Sequence, residues 1–563
     1  MSESQVIKQE KAKEYNNLGT MYAKEQKWSE AIDCYKKAIK IDPKFAGAYR
    51  NLARVLTQIG KEEMVAECWY RALKLEPTYA QAEDYLKIGE TLLKQGKTQQ
   101  AYDCYCQARK KEPSCWIAYV KMGKILEQEN KQEAAERAYK EAIKINGEAG
   151  EAYHQLGLIL GEKGDVLGAI DCYEKALLSL PKSKEILDDY LLLLKKNSKT
   201  SAQDYQKLGK LLKRQGRDEE AMDCFLEALK LKPHFMPAHE VLQYTKTTSL
   251  EKLEKLRECY QKIVREKPKI AIAWGNLGDI LTQQGKIEEA IKCYQKSCEQ
   301  KVIASHPKLG EIEWKEKKEN VPDFIIIGGA KCGTTSLYSY LGEHPQILLP
   351  HKKEIKFFDE KFELGLAWYL AHFPPIMDNK NWLTGEASPS YLEYSQVAVR
   401  MSQLLPQVKL IVLLRNPGER AVFLYYYQLP TRKKKEPLAE VLGWEMKKLE
   451  GLTEGEIMEL GRRYPNNILG SLYYYKIKNW MNVFPREQIL ILQSEKLYNN
   501  PEKVMEEVYE FLGIEHCQGK GYPQYNKRNY SPISDELRKR LTRYFRPHNQ
   551  KLEEYLGMKF DWK

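Results

Sequence analysis

FIIIGGAKCGTTSLYSYL, residues 324–341, is the stretch whose reading decides the fold. The apolar, β-branched run Phe324-Ile325-Ile326-Ile327 reads as a buried strand. Gly328, Gly329, Lys331 and Gly333 then break the run, and Leu337, Tyr340 and Leu341 return at helical spacing. The reading is strand, glycine-rich loop, helix. Such a loop offers backbone N–H groups and a helix N-terminus to an anion, and Lys331 adds a full charge, so the stretch reads as a phosphate cradle. It is not a Walker A loop, in which the lysine follows the second glycine; here Lys331 precedes Gly333. An ordinary strand–turn–helix would use the glycines for its turn, but would have no need of a lysine and two hydroxyls, Thr334 and Thr335, at the same place.

Beyond this stretch, β-rich runs recur at Leu410–Leu414 (LIVLL) and Ile489–Leu492 (ILIL), with helical stretches between them. That alternation predicts an α/β domain with a parallel sheet covered on both faces, whose ligands sit at the carboxyl ends of the strands. The Lys331 loop and Arg415-Asn416-Pro417 both lie at such ends. Phosphoryl-transfer enzymes place acidic residues there to hold Mg²⁺. The strand ending at Leu414 leads into Arg415 instead, which disfavours a P-loop kinase or NTPase, and no metal is expected. Nine histidines are scattered without ligand spacing, so no zinc site is expected either.

The first three hundred residues follow a different rule. Proline closes helix-like segments at Pro43, Pro77, Pro113, Pro181, Pro233 and Pro268, the first two 34 residues apart. Glycine recurs at Gly19, Gly89, Gly123, Gly157, Gly209 and Gly278, and alanine at Ala31, Ala101, Ala135, Ala169, Ala221 and Ala290. Four residues after each alanine stands Tyr35, Tyr105, Tyr139, Tyr173, Phe225 or Tyr294. A 34-residue period with this pattern resembles the tetratricopeptide repeat, and predicts an all-α superhelical array. The register is 12–45, 46–79, 82–115, 116–149, 150–183, 202–235, 236–270 and 271–304, with a helical insertion at 184–201. The unit 236–270 is weak, because Lys255 stands where alanine is expected. The concave face is expected to hold a protein partner. Residues 305–320 read as a linker, its charged part beginning WKEKKE, and 321–563 as the second domain.

The chain has 563 residues and a formal net charge of +12, moderate for its length and suited to anionic ligands. The N-terminus MSESQVIKQEKAKEY lacks the apolar core of a signal peptide, and no run of about 18 apolar residues predicts a transmembrane segment. The twelve cysteines form no disulfide framework, and a cytoplasmic setting is expected. Cys34, Cys68, Cys104, Cys172, Cys224 and Cys293 each precede the aromatic repeat position, which reads as packing between helices. No nucleic-acid partner is expected.

PDFIIIGGAKCGTTSL, KKEIKFFD, GEASPSYL, LIVLLRNPGERAVFLYY and YFRPHNQKLEEYLGMKFDW, in that order, resemble the carbohydrate sulfotransferases of the heparan sulfate type, including their bacterial relatives. The resemblance spans essentially all of 321–563. It implies 3′-phosphoadenosine 5′-phosphosulfate (PAPS) as donor, and sulfuryl transfer to a hydroxyl or amine acceptor, a glycan or small alcohol. Gly329, Ala330, Lys331, Cys332, Gly333, Thr334 and Thr335 would hold the 5′-phosphate, with Lys331 also neutralising charge on the leaving oxygen. Glu354 matches the general base, and Arg415 the grip on the 3′-phosphate. Lys527 and Arg528 fall where the late donor-binding loop belongs. Lys352, Lys353 and Lys356 would attract an anionic acceptor or the donor, and Asp359 would orient the acceptor or cap a helix. Phe357 and Phe358 read as core. Three departures stand out. Phe423 replaces a serine that also binds the 3′-phosphate, so Tyr425 or Tyr426 would have to substitute for it. Ala387 replaces a lysine, and Lys476 a histidine of the N-sulfotransferases. Two other readings remain open: a repeat scaffold carrying a degenerate sulfotransferase-like domain, and sulfation of protein tyrosine.

Overall fold

The computed structural model describes residues 3–307, 321–374, 382–429, 436–463, 467–519, 521–525 and 533–562. Most of the linker therefore lies outside the described residues. The chain divides into two compact units, Met1–Leu231 and Lys232–Lys563.

The first unit consists of antiparallel helix pairs such as Ala82–Lys94 with Thr98–Lys111 and Trp116–Gln128 with Gln132–Ile145. The insertion forms a helix, Lys184–Lys196, started by the Ser183 hydroxyl accepting from the Ile186 N–H. The repeated glycine and aromatic residue meet within each pair. A Cβ built on Gly89 would come within 2.6 Å of the Tyr105 ring, on Gly123 within 2.5 Å of Tyr139, and on Gly157 within 2.8 Å of Tyr173. The glycine is thus the floor on which the ring of the second helix lies, and this lets the two backbones approach. The repeated cysteines are buried beside these rings. Burial pushes the Cys68 thiol up to about 11 and Cys104 to about 12. A thiol held protonated in this way is a packing group and not a nucleophile.

The second unit begins with four more helices, Met236–Gln243, Leu250–Glu266, Ala271–Gln283 and Ile287–Ser305, and continues into an α/β layer. Four parallel strands, β1 (Phe324–Gly328), β2 (Gly385–Ala387), β3 (Lys409–Leu414) and β4 (Ile489–Gln493), stand in the order β2-β1-β3-β4. Every residue of β1 is buried, as are the last five of β3, which is why both read as continuous apolar runs. β2 carries no such signal: it is three residues long, with Glu386 at its centre. Helix Thr334–Leu341 follows the β1 loop, and helix Pro417–Gln428 follows β3. The latter starts where it does because Asn416 accepts from the N–H groups of Gly418 and Glu419, and Pro417 needs no hydrogen bond at the first position.

Candidate functional site

A cleft of about 930 Å³ opens over the carboxyl ends of β1, β2 and β3. Ala330, Lys331, Gly333, Thr334 and Thr335 line it from the β1 loop, Lys353, Glu354 and Lys356 from the segment before helix Phe357–Glu360, and Arg415 from the end of β3. Residues up to 85 positions apart in sequence thus share one wall.

The loop is built to expose donors. Thr334, Thr335 and Ser336 open a helix, so their N–H groups have no intrahelical acceptor. Gly333 holds φ +96°, and a Cβ there would meet the Tyr498 hydroxyl at 2.5 Å, so only glycine fits. Not every N–H of the loop is available. Gly329 donates to Leu413 O at 2.7 Å and Cys332 to Gly329 O at 3.1 Å. The Cys332 side chain is fully buried. These two residues therefore shape the loop from behind.

Among the described residues, five non-glycine residues hold positive φ, and three of them, Lys331 (66°), Glu354 (64°) and Lys356 (59°), line this cleft. Left-handed backbone costs about 1–3 kcal/mol per residue and persists only where the surroundings impose it. Here they do. Glu354 N–H donates to Ala387 O at 3.0 Å, and Lys356 N–H to the Ser388 hydroxyl at 3.2 Å.

The charges pair in a definite order. Lys353 Nζ lies 3.3 Å from Thr335 Oγ1 and 3.2 Å from Glu354 Oε1, linking the loop to the carboxylate. Burial lowers the Lys353 pKa, and the Glu354 charge opposes that shift. At Lys356 burial also disfavours the charge, but the Glu360 carboxylate 2.9 Å away outweighs it and the pKa is raised. Lys331 Nζ stands 3.3 Å above the centre of the Tyr427 ring. Arg415 pairs with Glu419 at 2.9 Å, and Phe423 lies under its guanidinium at 5.6 Å.

Other expected residues sit elsewhere. Lys352 is turned from the cleft into a buried ion pair with Asp279 at 2.6 Å. Asp359 is not among the cleft-lining residues, and burial raises its carboxyl. Phe357 and Phe358 are buried among Tyr369, Tyr391 and Phe362. Tyr425 cannot replace the missing serine, because its hydroxyl donates to Glu436 O at 2.5 Å; it is Tyr427, one helical turn beyond Phe423, that lines the cleft. Lys527 and Arg528 lie outside the described residues, two and three positions beyond Tyr525, which lines the cleft with Gln524. In the first unit, His154, Glu185 and Asp189 bring ligand-type atoms within 4.8 Å of one another, a grouping that their spacing in sequence hides.

Residues 321–546 match the family model described as sulfotransferase domain. The C-terminal part of this chain is a sulfotransferase domain. Tetratricopeptide-repeat models match residues 12–45, 34–64, 86–150 and 271–301, so the chain also carries tetratricopeptide repeats. A model described as Est1 DNA/RNA binding domain matches 135–267, within the same helical region. Among curated relatives, the membrane-associated sulfotransferase kil1 of Dictyostelium discoideum is 30% identical over 43% of this chain and 66% of its own length. The bifunctional heparan sulfate N-deacetylase/N-sulfotransferase 4 of Mus musculus is 29% identical, over 43% of this chain and 31% of its own. Human heparan sulfate glucosamine 3-O-sulfotransferase 3A1 is 28% identical, over 44% and 64%. The chain thus spans less than two thirds of the length of the latter two relatives, and 66% of kil1. Among the described residues, no helix is long and apolar enough to cross a membrane.

The sulfotransferase domain also depends on residues that motif reading passed over. Glu386, wholly buried on β2, accepts from the hydroxyls of Tyr369 (2.9 Å), Tyr391 (3.0 Å) and Ser388 (2.6 Å). Those hydroxyls in turn receive the N–H groups of Phe357 and Lys356, so Glu386 anchors the segment that presents Glu354. Arg420, 2% exposed, donates to Ala330 O, Ser471 and Glu393, bracing the Lys331 loop. Lys476, where the N-sulfotransferases have histidine, is buried against Glu393, and burial brings its pKa down to about 8. Ser494, after β4, ties Cys332 O to Leu414 O. The available signal was a lone charge in an apolar setting, such as Glu386 between Gly385 and Ala387, or Arg420 before Ala421 and Val422.

Proposed function

We propose that the chain is a PAPS-dependent sulfotransferase acting on a hydroxyl or amine of a carbohydrate, with its repeats recruiting a partner or substrate protein. What carries this reading is that Lys331, Thr334, Thr335, Glu354 and Arg415 line one cleft. The cleft suits the donor: a glycine whose Cβ would fill the loop, helix-start N–H groups with no intrahelical acceptor, and an arginine in the same cleft. PAPS, when bound, supplies the sulfuryl group. Thr334, Thr335 and the loop N–H groups hold its 5′-phosphate, and Arg415 its 3′-phosphate, for which a forked guanidinium is suited. Phe423 offers the arginine a ring face in place of the serine's hydrogen bond. Lys331 stabilises charge on the oxygen between phosphate and sulfate as the S–O bond breaks. Glu354 takes the proton from the acceptor as its oxygen or nitrogen bonds to sulfur, a contribution of about 10²–10⁴ in rate. No metal is needed for these steps. The cysteine usage favours the cytoplasm.

Calorimetric titration of the full chain with 3′-phosphoadenosine 5′-phosphate tests the donor site, and saturable binding in the micromolar range is expected. The absence of binding at high micromolar concentration would favour the competing scaffold reading, which draws on Phe423. Glu354→Gln should keep donor binding and lose at least about 100-fold in transfer; transfer at the parent rate removes Glu354 as the base.

A further inference from the structure

The weak repeat unit, 236–270, is where the helical array changes shape. After the first pair, the first helix of a pair elsewhere runs 13 residues, as in Ala82–Lys94, Trp116–Gln128 and Ala271–Gln283. Here it stops after 8, at Gln243, and its partner Leu250–Glu266 lengthens to 17. The segment Tyr244–Ser249 between them is released from the array. Tyr244, 63% exposed, lines the cleft that holds Lys331 and Glu354. Two residues on, Lys246 stands 4.0 Å from Glu360.

The next helix pair fixes this segment against the sulfotransferase domain. Asp279 accepts twice from Lys352, two residues before Glu354. Thr282 accepts from the Trp368 indole at 3.0 Å. The Tyr294 ring lies 3.9 Å from that of His372 and 5.4 Å from that of His351. Tyr244 thus lines the same cleft as the Lys331 loop and Glu354. An acceptor that gives its proton to Glu354 occupies a cleft that this ring helps to wall.

We propose that Tyr244 is a specificity-determining residue for the acceptor. Its ring is a platform for the apolar face of a sugar whose hydroxyl or amine edge meets Glu354. An aromatic with an apolar body and a polar tip fits such a ligand, and Lys353 and Lys356 on the same side suit an anionic glycan. The repeat array therefore contributes a residue to the active site itself, in addition to any partner it recruits. The carbohydrate class rests on the proposed function; the place of Tyr244 in the cleft that holds Glu354 does not.

The test uses the full chain with labelled PAPS and two probes, de-N-sulfated heparan sulfate and an acidic tyrosine-containing peptide. Tyr244→Ala should raise KM for the saccharide about tenfold, leave kcat within about twofold, and leave affinity for 3′-phosphoadenosine 5′-phosphate unchanged. Tyr244→Phe should restore most of the lost KM, since the ring face is kept. An unchanged KM in Tyr244→Ala overturns the proposal, as does a parallel loss of donor affinity. Transfer by the parent to the peptide alone, or to neither probe despite donor binding, overturns the saccharide class. A parent that binds no donor brings down the proposed function, and this inference with it.

Discussion

Glu386 shows how much of a site can rest on a residue that never meets the ligand. Its burial pushes the carboxyl from 4.5 up to about 7, although three hydroxyls favour the charged form. Between those values the folded chain binds more protons than the unfolded one. On this residue's account stability therefore falls as pH rises from about 4.5 to about 7, and is level above that. Glu386→Gln removes the titration, so the variant should gain on the parent by up to about 3 kcal/mol across the window. Denaturant unfolding of both chains at pH 5, 6 and 7.5 reads the difference; parallel profiles would mean that Glu386 stays charged throughout. Lys331 was legible from its glycine-rich loop, and Glu354 and Arg415 from motifs that resemble a known family. Glu386 was not, because its meaning lies in Tyr369, 17 residues upstream, and in backbone groups that only folding brings near.

The helix pair is the element in which the repeat pattern has a physical cause. At Gly123 the Tyr139 ring leaves no room for a methyl group, and the ring is fixed by its hydroxyl donating to Glu127 at 2.6 Å. Gly123→Ala gains about 1 kcal/mol in helix propensity but forces overpacking of about 1–3 kcal/mol, so a net loss of about 1 kcal/mol is expected. Gly147→Ala, with nothing within 4 Å, is the control. Thermal melting of the two variants should separate them, and equal midpoints would show that the ring yields. Periodicity made these elements legible. It could not reveal β2, because three residues of G-E-A have neither an apolar run nor an alternation, and pairing with β1 alone makes them a strand.

At the scale of the whole molecule, compactness does not follow the family boundary. The sulfotransferase model begins at 321, whereas the compact unit begins at Lys232 and takes in the last four helices before the sheet. The Asp279–Lys352 pair lies at this junction, with side chains 14% and 8% exposed. Removing one partner leaves an uncompensated buried charge, so Asp279→Asn should cost about 3–5 kcal/mol. The double variant Asp279→Asn, Lys352→Met should recover most of that loss. Melting of the full chain measures both, and a single variant as stable as the parent would show that water reaches Lys352.

The sequence alone determined the two architectures, and it singled out Lys331, Glu354 and Arg415, which the fold brings to one cleft. Helical periodicity, apolar strands and glycine placement are local properties that a linear chain displays. FIIIGGAKCGTTSLYSYL could be read as strand, cradle and helix with no neighbour in view. What stands around it came only with tertiary structure: Arg420 under the Ala330 carbonyl, Glu386 beneath the Glu354 segment, and Tyr244 in the lining of the cleft. Hydrogen bonds and desolvation act over a few ångströms, and residues that distance apart in space, such as Arg420 and Ala330, are here 90 positions apart in the chain.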